Sequence, residues 1–373
     1  MLEGRDLAPL ARGGMADLLL ASASAQNDLV FKRVRDDLSG DRYRDLLRAE
    51  AELTSQLNHP NIVRCWGLVE EEGEPTMIME HVHGLDLEAL LRGCSKRRIV
   101  LPLSHRLALV CAILRALDYA HRARDEQGEL YDVVHRDVSA SNVLIGFEGQ
   151  VKLCDFGIAS ATIMPALGDG PLIEGKASYM SPEQAKGRRV DGRADVFSVG
   201  VLLWELVAGR RMRRRVDGDR LSLAARGEVP VLPQKGFYGE PELHAIVNCA
   251  LASEPDARYQ TAGQFMMHLE KWCRNHRVLA GESELGRFLR AHFPPPEGLR
   301  EQLSPASVVD EAPPAPSRDP PAEPTLAPVS RTPAPASPKP AATSPWRRGV
   351  PVLVAGAVIT FFLLMALSKA GIV

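Results

Sequence analysis

The chain has 373 residues, 45% of them hydrophobic, and its 45 Lys and Arg nearly balance 47 Asp and Glu for a net charge of -2. That length and apolar content support one large or two ordinary domains, each with its own core. The balanced charge carries no global signal for a polyanion, so nucleic acid is not an expected partner.

The first residues, "MLEGRDLAPL", carry charges at once and contain no apolar stretch of the kind a secretory signal needs. The cysteines Cys65, Cys94, Cys111, Cys154, Cys249 and Cys273 are far apart, with no Cys-x-x-Cys pair and no histidine at a zinc-like interval. Structural thiols in a reduced compartment are the expectation. Residues 1 to about 292 alternate apolar-periodic segments with short Gly and Pro breaks, as a folded body does.

Within that body, "LVFKRV" predicts a strand carrying Lys32, and "LLRAEAELTSQLNHPNIV" predicts a helix with an apolar stripe of Leu46, Leu47, Leu53 and Leu57 around Glu50. Further on come "TMIMEHVHGLDLEALL", then "VVHRDVSASN", then an Asp-Phe-Gly triplet after the β-like run of "VKLCDFGIAS". "YMSPEQA", the apolar "ADVFSVGVLLWEL", "SEPDARYQ" and the amphipathic "ESELGRFLRAHF" complete the body. The run "GRRMRRRVDGDR" holds Arg210, Arg211, Arg213, Arg214 and Arg215; it reads as a solvated loop or as a dock for acidic substrates or an anionic leaflet.

The remainder differs in composition. Residues 293–346 form a Pro- and Ala-rich segment in which Pro294 to Pro345 hold 16 of the 28 prolines. It buries too little apolar surface to offset its ordering entropy and is expected to be a linker. Gly349 to Ser368 carry no charge over 20 residues, the length that crosses about 30 Å of hydrocarbon at about 1.5 Å per residue. A membrane anchor over 347–373 is therefore expected. Arg347 and Arg348 on one side, against Lys369 alone on the other, predict a single-pass arrangement with the body on the cytoplasmic side.

Five of these motifs, in this order, resemble the eukaryotic-type protein kinases, specifically the bacterial serine/threonine (Hanks-type) members, from Leu7 to about residue 275. The resemblance implies an α+β, two-lobed fold with the site between the lobes. A small antiparallel-sheet lobe with one helix would run to about residue 80, followed by a mainly helical lobe over about 81–292. It also implies transfer of the γ-phosphoryl group of ATP, with Mg²⁺ or optionally Mn²⁺, to Ser or Thr hydroxyls on proteins, including autophosphorylation.

By the same resemblance, Lys32 holds phosphates, Glu50 orients it, Asp137 is the catalytic base, and Asn142 and Asp155 are the metal ligands. His135, Arg136, Phe156 and Gly157 support them, Glu183 pairs with Arg258, and Asp195 holds the catalytic loop. Gly13 and Gly14 belong to the phosphate loop. Met79, Glu80, Val82, Asp86 and Leu144 border the nucleoside. Protein substrates, the membrane and optionally a second copy of the chain are the partners.

Two departures stand out. The phosphate loop reads "ARGGMA", with Ala11 and Ala16 where glycines are expected. Ser139 occupies the place of a lysine, while Gly175-Lys176 stands where the family has Gly-Thr. One hypothesis is that cation and hydroxyl have exchanged places, Lys176 reaching the transfer site and Ser139 contacting Asp137; the other leaves Lys176 in solvent. The alternative for the whole chain is a membrane-tethered pseudokinase scaffold, and a small-molecule kinase is disfavoured by "YMSPEQA". "SAS" before Asn142 disfavours tyrosine specificity.

Overall fold

Alternation along the first strands divides apolar residues between two faces of one sheet. In the computed structural model, which describes residues 7–21, 28–38, 40–71, 73–156, 177–213 and 219–295, strands β1 (Leu7–Arg12), β2 (Ala16–Ala21), β3 (Leu29–Val34), β4 (Cys65–Glu71) and β5 (Glu74–Glu80) form an antiparallel sheet in the order β1-β2-β3-β5-β4. Phe31 clusters with Ala21, Leu19 and Ile78 on one face. Val30 joins Met77 and Met79 on the other, against Leu47 and Ala51 of helix α1 (Asp41–Ser55). Lys32, two residues after Val30, therefore projects to the α1 side of the sheet. In α1 the buried stripe is Leu47, Glu50, Ala51 and Thr54, so a carboxylate interrupts an otherwise apolar face.

After β5 the chain passes through His81, Val82 and His83 into β6 (Gly84–Asp86), which pairs with β7 (Val143–Gly146), itself paired with β8 (Val151–Leu153). Gly84 is required at this crossing, because a Cβ there would meet the Ile145 carbonyl oxygen at 1.9 Å. The second lobe is helical: α2 (Leu87–Arg97), α3 (Leu103–His121), α4 (Pro182–Ala185), α5 (Gly192–Ala208), α6 (Arg220–Arg226), α7 (Glu240–Ala250), α8 (Ala262–Asn275) and α9 (Glu282–His292). Helix α5 is buried along 15 of its 17 residues, and a helix apolar on all sides belongs at the centre of a core. α3, α7 and α8 surround it. Leu285 and Leu289 of α9 join the same core, as its amphipathic pattern predicts.

The arginine run after α5 departs from a solvated loop. Arg213 is only 2% exposed and donates to the carbonyls of Ala177 (2.9 Å), Ser178 (3.2 Å) and Met180 (2.8 Å). Arg211 pairs with Glu88 at 2.6 Å and Glu205 at 3.0 Å, and Arg210 lies over the Trp204 ring. Arg213 is thus committed to the interior of the lobe, and Arg211 to two of its carboxylates. Among the described residues no helix is long and apolar enough to cross a membrane. The linker and the expected span at 349–368 lie outside the described residues, as do Arg214 and Arg215.

Candidate active site

The site forms where the two lobes meet, and its charged centre is Lys32. Lys32 Nζ donates to Glu50 Oε1 at 2.7 Å and to Asp155 Oδ1 at 2.8 Å, which joins β3, α1 and the segment after β8 through one ammonium. Burial alone would lower the Lys32 pKa, yet the Asp155 and Glu50 carboxylates hold it above the ordinary lysine range. It is a fixed cation at any physiological pH. Asp155 itself adopts φ 56°, a left-handed conformation that turns the chain sharply at the Asp-Phe-Gly triplet. Gly157 and Lys176 lie outside the described residues.

The catalytic loop hangs from a buried carboxylate. Asp195, in the first turn of α5, accepts the backbone N–H groups of His135 and Arg136, each at 2.8 Å, and is 2.8 Å from His121 Nε2. Burial would push the Asp195 carboxyl up, but the His121 hydrogen bond and neighbouring imidazoles hold it below the usual carboxylate range. Anchoring two successive amides leaves Arg136 in a left-handed conformation, φ 64°. His135 is fully buried; its Nδ1 accepts from the Asp137 amide at 3.3 Å and its Nε2 lies 3.0 Å from the Cys154 carbonyl. One accepting and one donating nitrogen define a neutral imidazole, and burial depresses its pKa accordingly. The ring packs on Phe156 with centroids 4.6 Å apart, binding the catalytic loop to the Asp-Phe-Gly turn.

Asn142 sits at the end of the short 3₁₀ turn Ala140–Asn142, where its Nδ2 donates to the Asp137 carbonyl at 2.8 Å. With the amide nitrogen committed, the oxygen Oδ1 is the atom left for a cation. A carboxylate and an amide oxygen are the hard donors that Mg²⁺ takes, so Asn142 and Asp155 fit that ion. The Ser139 hydroxyl lies 3.0 Å from Ser141 Oγ.

Above this centre, Leu18, Val82, Leu144 and Cys154 pack on the apolar cluster that contains Val30 and Met79. They gather apolar side chains of β2, β3, β5 and β7 and of the segments that follow β5 and β8. Glu80 works through its side chain as well as its backbone: its carboxylate accepts from the Arg64 amide and Lys152 Nζ, each at 2.7 Å. Asp86 caps α2, accepting from the Ala89 amide at 2.7 Å. At the phosphate loop, Gly13 N–H donates to the Ala16 carbonyl at 2.8 Å, and a Cβ on Gly13 would approach that same oxygen to 3.0 Å. Arg35 braces the turn, donating to the carbonyls of Gly13 (3.2 Å) and Gly14 (3.1 Å) while Asp37 holds its other edge at 2.8 and 2.5 Å.

The lower anchors are as expected. Arg258, its side chain fully buried, meets Glu183 in a bidentate pair at 2.7 and 2.8 Å and also donates to the carbonyls of Ala252, Ser253 and Arg193. Burial would raise the Glu183 pKa, and the Arg258 hydrogen bonds lower it below the usual glutamate value. Gln184, the residue after it, closes a capping box with Ser181 and sends its amide nitrogen to the Arg136 carbonyl at 2.8 Å. Sequence reasoning missed Gln184, His121, Arg35, Leu18 and Val30. Gln184 and Val30 stood inside quoted motifs; the other three had no local signal.

Comparison with known proteins agrees with this geometry. The protein kinase domain family matches residues 6–273. The chain belongs to the protein kinase family. It is 37% identical over 297 residues to the tyrosine-protein kinase MasK of Myxococcus xanthus, covering 76% of this chain and 45% of that protein. It is 33% identical over 271 residues to the serine/threonine-protein kinase PknB of Mycolicibacterium smegmatis, covering 70% of this chain and 41% of that one. The chain thus spans less than half the length of these relatives. Among solved structures, the Mycobacterium tuberculosis PknI kinase domain superposes with a TM-score of 0.52 at 27% identity, covering 72% of this chain and 96% of that domain.

Proposed function

We propose that the protein is a serine/threonine protein kinase that transfers the γ-phosphoryl group of MgATP to hydroxyls on proteins and on itself. The observation that carries the reading is the bridge from Lys32 to Glu50 and Asp155, formed beside Asp137 and Asn142. A scaffold that transfers nothing has no need of that assembled charge centre.

The residues divide the work. The apolar cluster of Leu18, Met79, Val82 and Leu144 takes the adenine, and Lys32, oriented by Glu50, holds the phosphates. Asn142 and Asp155 hold Mg²⁺, which when bound neutralises charge on the phosphates. Asp137 accepts the proton of the substrate hydroxyl as that oxygen attacks. Arg136, whose Nε is buried with no hydrogen-bond partner among the described residues, is suited to receive an anion, either a phosphorylated side chain or a carboxylate. Lys176 supplies a cation near the transfer site in place of the one missing at Ser139. The apolar run at 349–368 anchors the chain in the cytoplasmic membrane with the kinase domain in the cytoplasm.

The similarity to MasK favours one second reading, transfer to tyrosine. Incubating the full-length protein with labelled ATP, Mg²⁺ and a protein acceptor, followed by phosphoamino-acid analysis, separates the two. Label on serine and threonine that vanishes in Asp137→Asn supports the proposal. Label on tyrosine alone transfers the assignment to the second reading, and equal label in wild type and Asp137→Asn shows a pseudokinase. Release of the protein from membranes by alkaline carbonate would remove the anchor.

A further inference from the structure

The hinge "EHVHG" carries two imidazoles, His81 and His83, that neither nucleotide binding nor phosphoryl transfer employs. Both rings approach one carboxylate. His81 Nδ1 is 3.6 Å and His83 Nε2 3.5 Å from the same oxygen, Asp28 Oδ2, and the ligand atoms of the three residues all lie within 4.8 Å of one another. The two ring centroids are 4.2 Å apart. These separations exceed the about 2.7–3.2 Å of a sound N–H···O hydrogen bond, and among the described residues His81 Nδ1 is buried with no hydrogen-bond partner. They match a different geometry. A tetrahedral Zn²⁺ with ligand bonds of about 2.0–2.1 Å separates its ligand atoms by about 3.4 Å.

We propose that Asp28, His81 and His83 form a binding site for a transition-metal ion of the Zn²⁺ class, with water in the fourth position. Two imidazoles and one carboxylate select Zn²⁺, Co²⁺ or Ni²⁺ over Mg²⁺ and Ca²⁺, which take oxygen ligands. The side chains are 21%, 16% and 30% exposed in chain order, sheltered enough to hold an ion and open enough to admit it. The placement gives the ion a mechanical consequence. Asp28 leads into β3, and its carbonyl accepts the His81 amide at 3.3 Å; the His83 carbonyl accepts the Phe147 amide at 2.8 Å. An ion at this point ties the start of β3 to the hinge and to the sheet of the large lobe. Val82, of the apolar cluster assigned to the adenine, lies between its two imidazole ligands. Metal loading therefore stiffens the hinge around the nucleotide.

The test is titration of the full-length, nucleotide-free protein with Co²⁺, followed by displacement with Zn²⁺. One equivalent should produce the intense visible absorption of tetrahedral Co²⁺, which octahedral Co²⁺ at the oxygen ligands Asn142 and Asp155 lacks. His83→Gln and Asp28→Asn should each weaken that binding by at least about tenfold and abolish the rise in melting temperature that Zn²⁺ gives the wild type. X-ray absorption of the Zn²⁺-loaded wild type should show nitrogen and oxygen ligands with imidazole scattering, and this readout does not depend on either variant folding. Absence of the tetrahedral spectrum, a sulfur-containing or all-oxygen shell, or unchanged affinity in both variants overturns the proposal.

Discussion

The two ends of the phosphate site are built on different principles. The catalytic loop is suspended from Asp195, a carboxylate inside a helix buried along 15 of its 17 residues, which fixes two successive amides of the loop. The phosphate loop is an exposed β-turn in which two of the expected glycines are alanines, and its shape relies on Arg35 reaching over from the end of β3. Buried polar networks are rigid because breaking one leaves a desolvated group unpaired. Surface contacts exchange with water at little cost. The chain thus keeps its chemistry on a rigid base and its nucleotide grip on an adaptable edge; the lost glycines fall on the edge, while Ser139 departs from the family within the base.

The largest effect should come from the rigid side. Asp137→Asn should lower the phosphorylation rate by about 10²–10⁴-fold, the usual worth of a positioned base, while nucleotide binding measured by calorimetry stays intact. Comparable loss of binding would mean that the two ends are not independent. Next, Glu183→Gln strands the fully buried Arg258 and should cost about 3–5 kcal/mol in denaturant unfolding at neutral pH. That penalty depends on pH with a defined sign. The folded-state pKa of Glu183 is lowered from its ordinary 4.5, so its stabilisation is present above that value and is lost as pH falls through the folded pKa. The gap between wild type and Glu183→Gln should therefore narrow under acid conditions, and a gap independent of pH would assign the stability to packing.

Smaller effects belong to the edge. Arg35→Ala should raise the KM for ATP severalfold and leave kcat unchanged, because it loosens a turn and removes no reacting group. A fall in kcat of the same size would show that the turn also positions the γ-phosphate. Smallest of all, Ala11→Gly with Ala16→Gly should lower the KM for ATP modestly by relieving the backbone of its methyl groups. No change would show that Arg35 already supplies what the glycines provide elsewhere in the family.

Much of the site was legible because its residues lie close together along the chain. Asp137 and Asn142 share one loop, and Asp155 follows them by a short hairpin of β7 and β8, so motif spacing nearly dictates their proximity. The two-lobed fold was legible for the same reason, since each motif marks one element in a fixed order. Arg213 was misread because charge suggests solvent; its guanidinium is buried and donates from one nitrogen to three carbonyls. The expected contact of Ser139 with Asp137 rests on chemical type alone, and the 3.0 Å contact of its hydroxyl with Ser141 had no signal in the motif.

By itself, the sequence determined which groups are present and in what order: a strand lysine, a helix glutamate, a base, two oxygen ligands and an ion-paired arginine. Covalent connectivity sets those spacings before any folding occurs. Only the tertiary structure decided which distant groups meet. His121 and Asp195 lie on different helices, while Arg35 brackets a turn more than twenty residues earlier. The same holds for Asp28 and the hinge histidines, brought together when β3 pairs with β5. Such contacts depend on packing between elements far apart in the chain, and no local pattern encodes them.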